Sequence, residues 1–470
     1  MRRLLKNFSL SFSANIISLV VSTLITFIAP IYLDGIGYGY YQLYAFYIVY
    51  IAYLHFGLVD GIILRHGGEE YENLPKGIFN KQFKYYFIMQ IFFSLCVIAS
   101  SFFYLNQLER LIVIFCVGIS IVFYLPRLYF QGIFQATNRI KEFSVQLILE
   151  KLIMVLFTIF SIVFKHYNFL SFIIGDLIGK AISLIYSLYI CREMVFHKFY
   201  VDKSQLKQEI KDNYSVGWKM TLSLMAGNVI IGIVRLAIEN KWDIETFGKV
   251  SLTLTVSNLF MVAIRSIAVI LFPFLRRIDS KHFSDIYSSL QKILTVLMFI
   301  GFSFYYPIEF VLVKILPQYS EALKYMAILF PLCVFECKLS LLIETYLKTL
   351  RKEKELLAIN CITVLISFIL SMITVFLLGN LNLAIFSILF LCGFRCILGE
   401  IVVGKIIKLN VLRDIIIELI MSFAFIIFNW FIGGVKGVFL YILVLCIYFL
   451  FDFKFIKCNV KQLLILMKEI

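Results

Sequence analysis

Apolar residues in this chain come in unbroken runs of roughly twenty or more, each closed by a short cluster of Lys, Arg, Asp, Asn or Gly. They neither alternate as in a strand nor recur on one face as in a surface helix. At 1.5 Å rise per residue, about 20 residues cross the ~30 Å hydrocarbon core of a bilayer. Fourteen membrane-spanning helices are predicted, at about 8–33, 40–64, 85–105, 111–135, 143–164, 169–191, 216–238, 247–275, 290–313, 322–347, 356–378, 381–404, 415–432 and 438–453. The basic start Met1-Arg2-Arg3-Leu4-Leu5-Lys6 precedes an apolar run without a small-x-small cleavage pattern, so it reads as a retained first span. The fold class expected is all-α and polytopic.

Composition agrees: 61% of residues are apolar and 16% charged, whereas a soluble domain is nearer half and a quarter. The formal charge of +15 would suit nucleic acid only if it formed a continuous basic face. Instead, Lys and Arg sit in clusters between apolar runs, which excludes that partner and fits membrane topology. On alternate sides of the fourteen spans, 28 of the 44 Lys and Arg fall together and five fall opposite. The rule that positive loops stay inside then places both termini in the cytoplasm of a bacterial-type inner membrane. Outer loops are too short for an external catalytic domain, so a membrane-embedded polymerase or glycosyltransferase is disfavoured and the chain is not expected to be an enzyme. No phosphate-binding loop of the Walker type is present, and no cofactor is expected. Cys333-x3-Cys337 and Cys392-x3-Cys396 lack further ligands for zinc and read as apolar thiols; no metal site is expected.

The chain also resembles itself at a spacing of about 210. Asp34-x4-Gly39 follows span one and Asp243-x4-Gly248 follows span seven; Thr137 and Arg139 after span four match Thr349 and Arg351 after span ten. Six spans separate the copies, an even number, so the halves insert in the same orientation. This predicts a six-helix lobe at 1–191, a cytoplasmic connection at 192–215, a second lobe at 216–404, and two additional helices with a tail at 405–470, the parallel lobes flanking a central cavity.

An ionisable group at mid-bilayer costs roughly 2.5–3.5 kcal/mol, yet Asp60, Arg127, Glu150, Lys151, Asp176, Lys180, Lys219, Arg235, Arg265, Glu336, Lys338 and Arg395 fall inside spans. Such groups must meet a wet cavity or one another. Arg127, Arg235, Arg265, Lys338 and Lys180 are candidate anion-binding residues; Arg127 and Lys338 are near repeat equivalents. Glu150, Asp176, Glu336 and Asp60 are candidates for ion coupling. Asp176 and Lys180, four apart, could equally neutralise each other. Cations outnumber carboxylates in this set, which tilts the expected passenger toward an anion. Pro30, Pro126, Pro307 and Pro331 lie in spans and are expected to bend them.

Gly232-Ile233-Val234-Arg235-Leu236-Ala237-Ile238-Glu239-Asn240, the continuation Phe247-Gly248-Lys249-Val250-Ser251-Leu252, and Leu316-Pro317-Gln318-Tyr319-Ser320-Glu321-Ala322 resemble the polysaccharide-flippase (Wzx-type) branch of the multidrug/oligosaccharidyl-lipid/polysaccharide exporter superfamily. That branch commonly carries Asp before the arginine; here the position is Val234. The resemblance implies a flippase that moves polyprenyl-pyrophosphate-linked oligosaccharide repeat units by alternating access, for O antigen, capsule or lipopolysaccharide. It also implies membrane lipids, a glycan polymerase and a chain-length regulator as partners. The alternative within the superfamily is a drug or small-molecule exporter.

Overall fold

The computed structural model describes residues 21, 23–197, 200–257 and 283–469, those from 453 onward as backbone. Among them there is no strand. The chain divides into two compact units, 1–225 and 226–470. The first holds α1 (Thr23–Tyr32), α2 (Gly35–Ile51), α3 (Leu58–Arg65), α4 (Lys76–Ser101), α5 (Leu108–Ala136), α6 (Ile140–Val163), α7 (Phe169–Ile190) and the short α8 (Arg192–Phe196). The unit boundary falls inside α9 (Lys203–Lys241). The second unit continues with α10 (244–257), α11 (Phe283–Phe302), α12 (Tyr305–Ile315), α13 (Ser320–Lys324), α14 (Met326–Leu329), α15 (Leu332–Lys338) and α16 (Glu344–Thr349). It ends with α17 (Glu353–Ser371), α18 (Leu381–Ile407), α19 (Leu412–Ile427) and α20 (Gly434–Glu469).

Among the described residues, 11 helical stretches are long and apolar enough to cross a bilayer, or 12 if the bent pair α2–α3 counts as one. The predicted spans at 8–33 and 247–275 lie largely outside the described residues. The span predicted at 290–313 is interrupted: α11 ends at Phe302 and α12 starts at Tyr305. The chain is a multi-pass membrane protein with its large apolar side chains turned outward, as in Phe92, Leu156, Leu365 and Phe368, where lipid rather than water is the solvent.

The repeated Asp-x4-Gly has a local cause. Asp34 accepts a hydrogen bond from the Gly37 backbone N–H at 3.0 Å, and Asp243 accepts one from Thr246 at 2.6 Å. Each caps a helix start, satisfying a donor that has no partner within the helix. Asn168 and Asn380 do the same for α7 and α18, to Ser171 at 2.9 Å and Leu383 at 3.2 Å. Thr137 and Thr349 close the preceding helices by returning their hydroxyls to Ile133 and Thr345. Asn138 and Arg351, both at φ 54, then turn the chain. The repeat is thus written mainly in helix punctuation.

Among the described residues, the one pair of helices that forms a span bent by more than 40° is not broken at a proline. Pro126 lies within continuous α5, Pro307 occupies the first turn of α12, and Pro331 precedes α15. Instead, α2 and α3 meet at 57° through Phe56 at φ 47 and Gly57 at φ 94, the left-handed region that glycine enters without cost. Beyond the bend α3 lies directly on α9. A Cβ on Gly61 would overlap the Asn213 carbonyl, and one on Gly217 would overlap the Gly57 carbonyl. Arg65 then locks the end of α3, donating to Glu209 at 2.7 and 3.1 Å and to Asn213 at 2.6 Å.

Candidate functional site

Three helices of the first unit bring a charged cluster into its interior. Pro126 sits one residue before Arg127 in α5, and side chains from neighbouring helices reach that turn's backbone: Tyr86 donates to the Leu125 carbonyl at 3.3 Å and Gln146 to that of Arg127 at 3.0 Å. Arg127, 3% exposed, meets Glu150 of α6 at 2.9 Å. Lys151 is 3.6 Å from the same carboxylate. α6 and α7 close together at Gly179, where a Cβ would overlap the Glu150 carbonyl. That contact brings Lys180 and Asp176 alongside. The two form an ion pair; Tyr44 of α2 donates to Asp176 at 2.7 Å, and Lys180 donates to Ser120 at 3.2 Å. Tyr124 offers its ring to both cations, 5.3 Å from Arg127 and 5.0 Å from Lys180, a favourable use of the aromatic quadrupole.

The cluster holds three cations against two carboxylates. Arg127 is also under-used: its Nε and Nη1 are buried without a hydrogen-bond partner among the described residues. A buried guanidinium that leaves two nitrogens unanswered costs free energy, and an incoming oxyanion would answer both.

The second unit carries clusters of the opposite balance. Lys338, at the end of α15, is 1% exposed and lies 2.5 Å from Glu400 of α18 and 2.6 Å from Glu418 of α19. Immediately after Lys338 the chain passes through a π-helical stretch, Leu339–Ile343, a widened turn frequent at functional positions. Gln291 of α11 donates to Glu400, and Thr295 donates to Glu418 at 3.0 Å. Beside them Lys292 is shared between Asp414 and Asp452, and Arg413 meets Asp452 at 2.6 Å. The last two helices are therefore tied into the unit by buried charge. Further along α18, Arg395 lies 3.6 Å from both Glu336 and Glu344 and donates to Asn360 at 2.7 Å.

The structure therefore places Arg127 with Glu150, Lys180 with Asp176, Lys338 with Glu400 and Glu418, and Glu336 with Arg395. Asp60 accepts from Thr221 of α9. Arg235 is half-buried, donating to Ser251 at 2.7 Å and lying 5.0 Å from the Phe247 ring. Lys219 is exposed, and Arg265 lies outside the described residues. Lys292, Glu400, Glu418 and Asp452 are not among the embedded charges singled out from sequence, although each sits inside a predicted span. Counting them corrects the cationic surplus inferred for the whole chain: it shrinks, and a clear surplus survives in the first-unit cluster. Cys333, Cys337, Cys392 and Cys396 are buried free thiols.

No family model and no curated protein matches the chain. Solved structures do. The lipid II flippase MurJ in an inward closed conformation superposes with a TM-score of 0.62 at 13% identity, covering 94% of this chain and 98% of that one. The fold is that of the MOP superfamily transporters. An inward-facing multidrug resistance MATE family transporter gives a TM-score of 0.63 at 11% identity, covering 85% of this chain and 94% of that one. A MOP superfamily transporter from Pyrococcus furiosus gives 0.57 at 13% identity, covering 86% and 96%.

Proposed function

We propose that the chain is a flippase of the cytoplasmic membrane that moves a lipid-linked anion, a polyprenyl-pyrophosphate-linked oligosaccharide repeat unit, by alternating access. Both termini lie in the cytoplasm in this reading. The observation that carries it is Arg127: buried, held on one side by Glu150, and with Nε and Nη1 open to a further acceptor. Lys180 and Lys151 add positive charge beside it. A pyrophosphate would accept from the guanidinium fork, its sugars would need a wetted path, and its lipid tail would stay in the bilayer. A lipid II flippase among the structural neighbours supports a lipid-linked passenger. Arg235, Arg265 and Lys338 are proposed to assist, and Glu150, Asp176, Glu336 and Asp60 to take part in coupling. Lipopolysaccharide, O antigen or capsule is the destination, with a polymerase and chain-length regulator acting downstream.

A second reading, a drug exporter, is favoured by the carboxylate surplus around Lys338, which would suit a cationic passenger, and by the MATE neighbours.

The test is surface-glycan display in the source cells, with the protein's abundance measured in the same membranes. Arg127→Gln is expected to abolish display at normal abundance, and Arg127→Lys to retain part of it, since charge remains while the fork is lost. Normal glycan in a gene deletion, accompanied by hypersensitivity to cationic dyes, would replace the flippase with the exporter.

A further inference from the structure

Around Lys338, one ammonium faces two carboxylates, and all three side chains are 3% exposed or less. A net negative charge in so dry a place is expensive, because burying an unpaired ion costs far more than burying a neutral acid. Among the described residues, the other charges facing Glu400 do not remove the imbalance. Asp414 of α19 is a further acid, and Lys292 of α11, which answers it at 3.3 Å, is shared with Asp452 of α20. The ionisable Tyr287 and Cys396 also face Glu400 and are neutral when protonated.

Two neutral groups at the same place are left incomplete. Gln291, 1% exposed, donates its amide N–H to Glu400 while its Oε1 is buried without a partner among the described residues, and the Tyr287 hydroxyl, one turn earlier, is buried without one among them too. An amide can turn over, presenting N–H to a carboxylate or C=O to a carboxylic acid. Gln291 therefore suits Glu400 with and without a proton. Glu418 is different, because both its oxygens already accept from Lys338, at 2.6 and 2.7 Å.

We infer that Glu400 is an exchangeable proton site of the second unit, with Lys338 and Glu418 fixing its place and Gln291 reading its protonation state. With the proton bound, the trio is neutral and α15, α18 and α19 close around it. When the proton leaves to water, the trio carries one negative charge, which favours an arrangement that admits solvent. A metal cation would have to displace the ammonium, so the ligand is a proton. Its use in driving transport rests on the flippase reading above; the proton site itself does not.

The experiment is difference infrared spectroscopy of the full-length protein in lipid nanodiscs during a pH titration, which requires no passenger. A carbonyl-stretch band from a protonated carboxyl is expected to disappear as the pH rises. It should be absent in Glu400→Gln and present in Glu344→Gln, an acid of the same unit paired with Arg395. An unchanged band in Glu400→Gln overturns the assignment, as does a band that sodium removes at constant pH. If Glu400→Gln does not fold, Gln291→Leu takes its place: the band must then move in frequency, and an unmoved band overturns the role of the amide. Loss of surface glycan in Glu400→Gln would link the site to transport, whereas normal glycan with the band gone would separate the two readings.

Discussion

Removing the ammonium of Lys338 measures how strongly the second unit depends on its buried charge. Lys338→Met keeps the length and apolar bulk of the side chain, and it strips the counter-charge from Glu400 and Glu418 together. Breaking a buried ion pair by deleting one partner costs about 3–5 kcal/mol. Here Glu418, 3% exposed, is left ionised without a counter-charge and Glu400, 0% exposed, loses its neighbour, so a cost within that range is expected. The cost should shrink in acid. Native Lys338→Met would then bind protons that the unfolded chain releases at the same pH, and stability falls with rising pH wherever the native state binds more protons. The triple variant Lys338→Met, Glu400→Gln, Glu418→Gln should recover most of the loss, because neutral partners leave no uncompensated charge. The assay is equilibrium unfolding in mixed detergent micelles at several pH values, read by intrinsic fluorescence. A single-mutant cost under about 1 kcal/mol, the size expected of a solvent-screened pair, would refute the dry-cluster picture. So would a triple variant weaker than the single one.

Two other outcomes are expected. Gly217→Ala places a methyl group on the Gly57 carbonyl with no flexible side chain able to give way, so yield of folded protein should collapse, while Gly68→Ala, in open space but at φ 99, should cost only backbone strain of about 1–3 kcal/mol; detergent gel filtration of both variants compares them. Asp34→Ala and Asp243→Ala each remove a helix cap and should cost about 1 kcal/mol apiece and additively, as read by the same micelle unfolding assay.

Much of the fold was legible because the bilayer forces a simple rule: a spanning segment must be helical, apolar and about twenty residues long. The internal repeat was legible for a different reason, since Asp34 and Asp243 cap helices and cannot drift without leaving donors unmet. The Asn168 and Asn380 caps, 212 residues apart, carried the same signal. The bend at Phe56–Gly57 was not legible, because prolines drew the expectation while a glycine in the left-handed region made the turn. Among charges, the i, i+4 spacing of Asp176 and Lys180 left their pairing open as one of two readings, beside separate roles in anion binding and coupling. Nothing in one sequence could announce that Lys338 would meet Glu400 and Glu418, 62 and 80 residues away, since that juxtaposition depends on how three helices are laid side by side. The balance of charge inside the protein was misjudged for the same reason: isolated Glu400, Glu418 and Asp452 in apolar runs look incidental until their partners are seen.

The contact of Gly57 and Gly61 with Asn213 and Gly217 has a mechanical consequence. Backbone rests on backbone there, with no side chains between to slide or re-rotate, and the Arg65 fork to Glu209 and Asn213 pins the far end. α3 and the opening turns of α9 must therefore travel together as one lever, and a force on either is delivered undamped to the other. Such a lever needs a pivot, and the chain supplies it at the one place beside the contact where the backbone already folds sharply, the Phe56–Gly57 corner. Stiffening that corner would stall the lever while leaving every charged group in place.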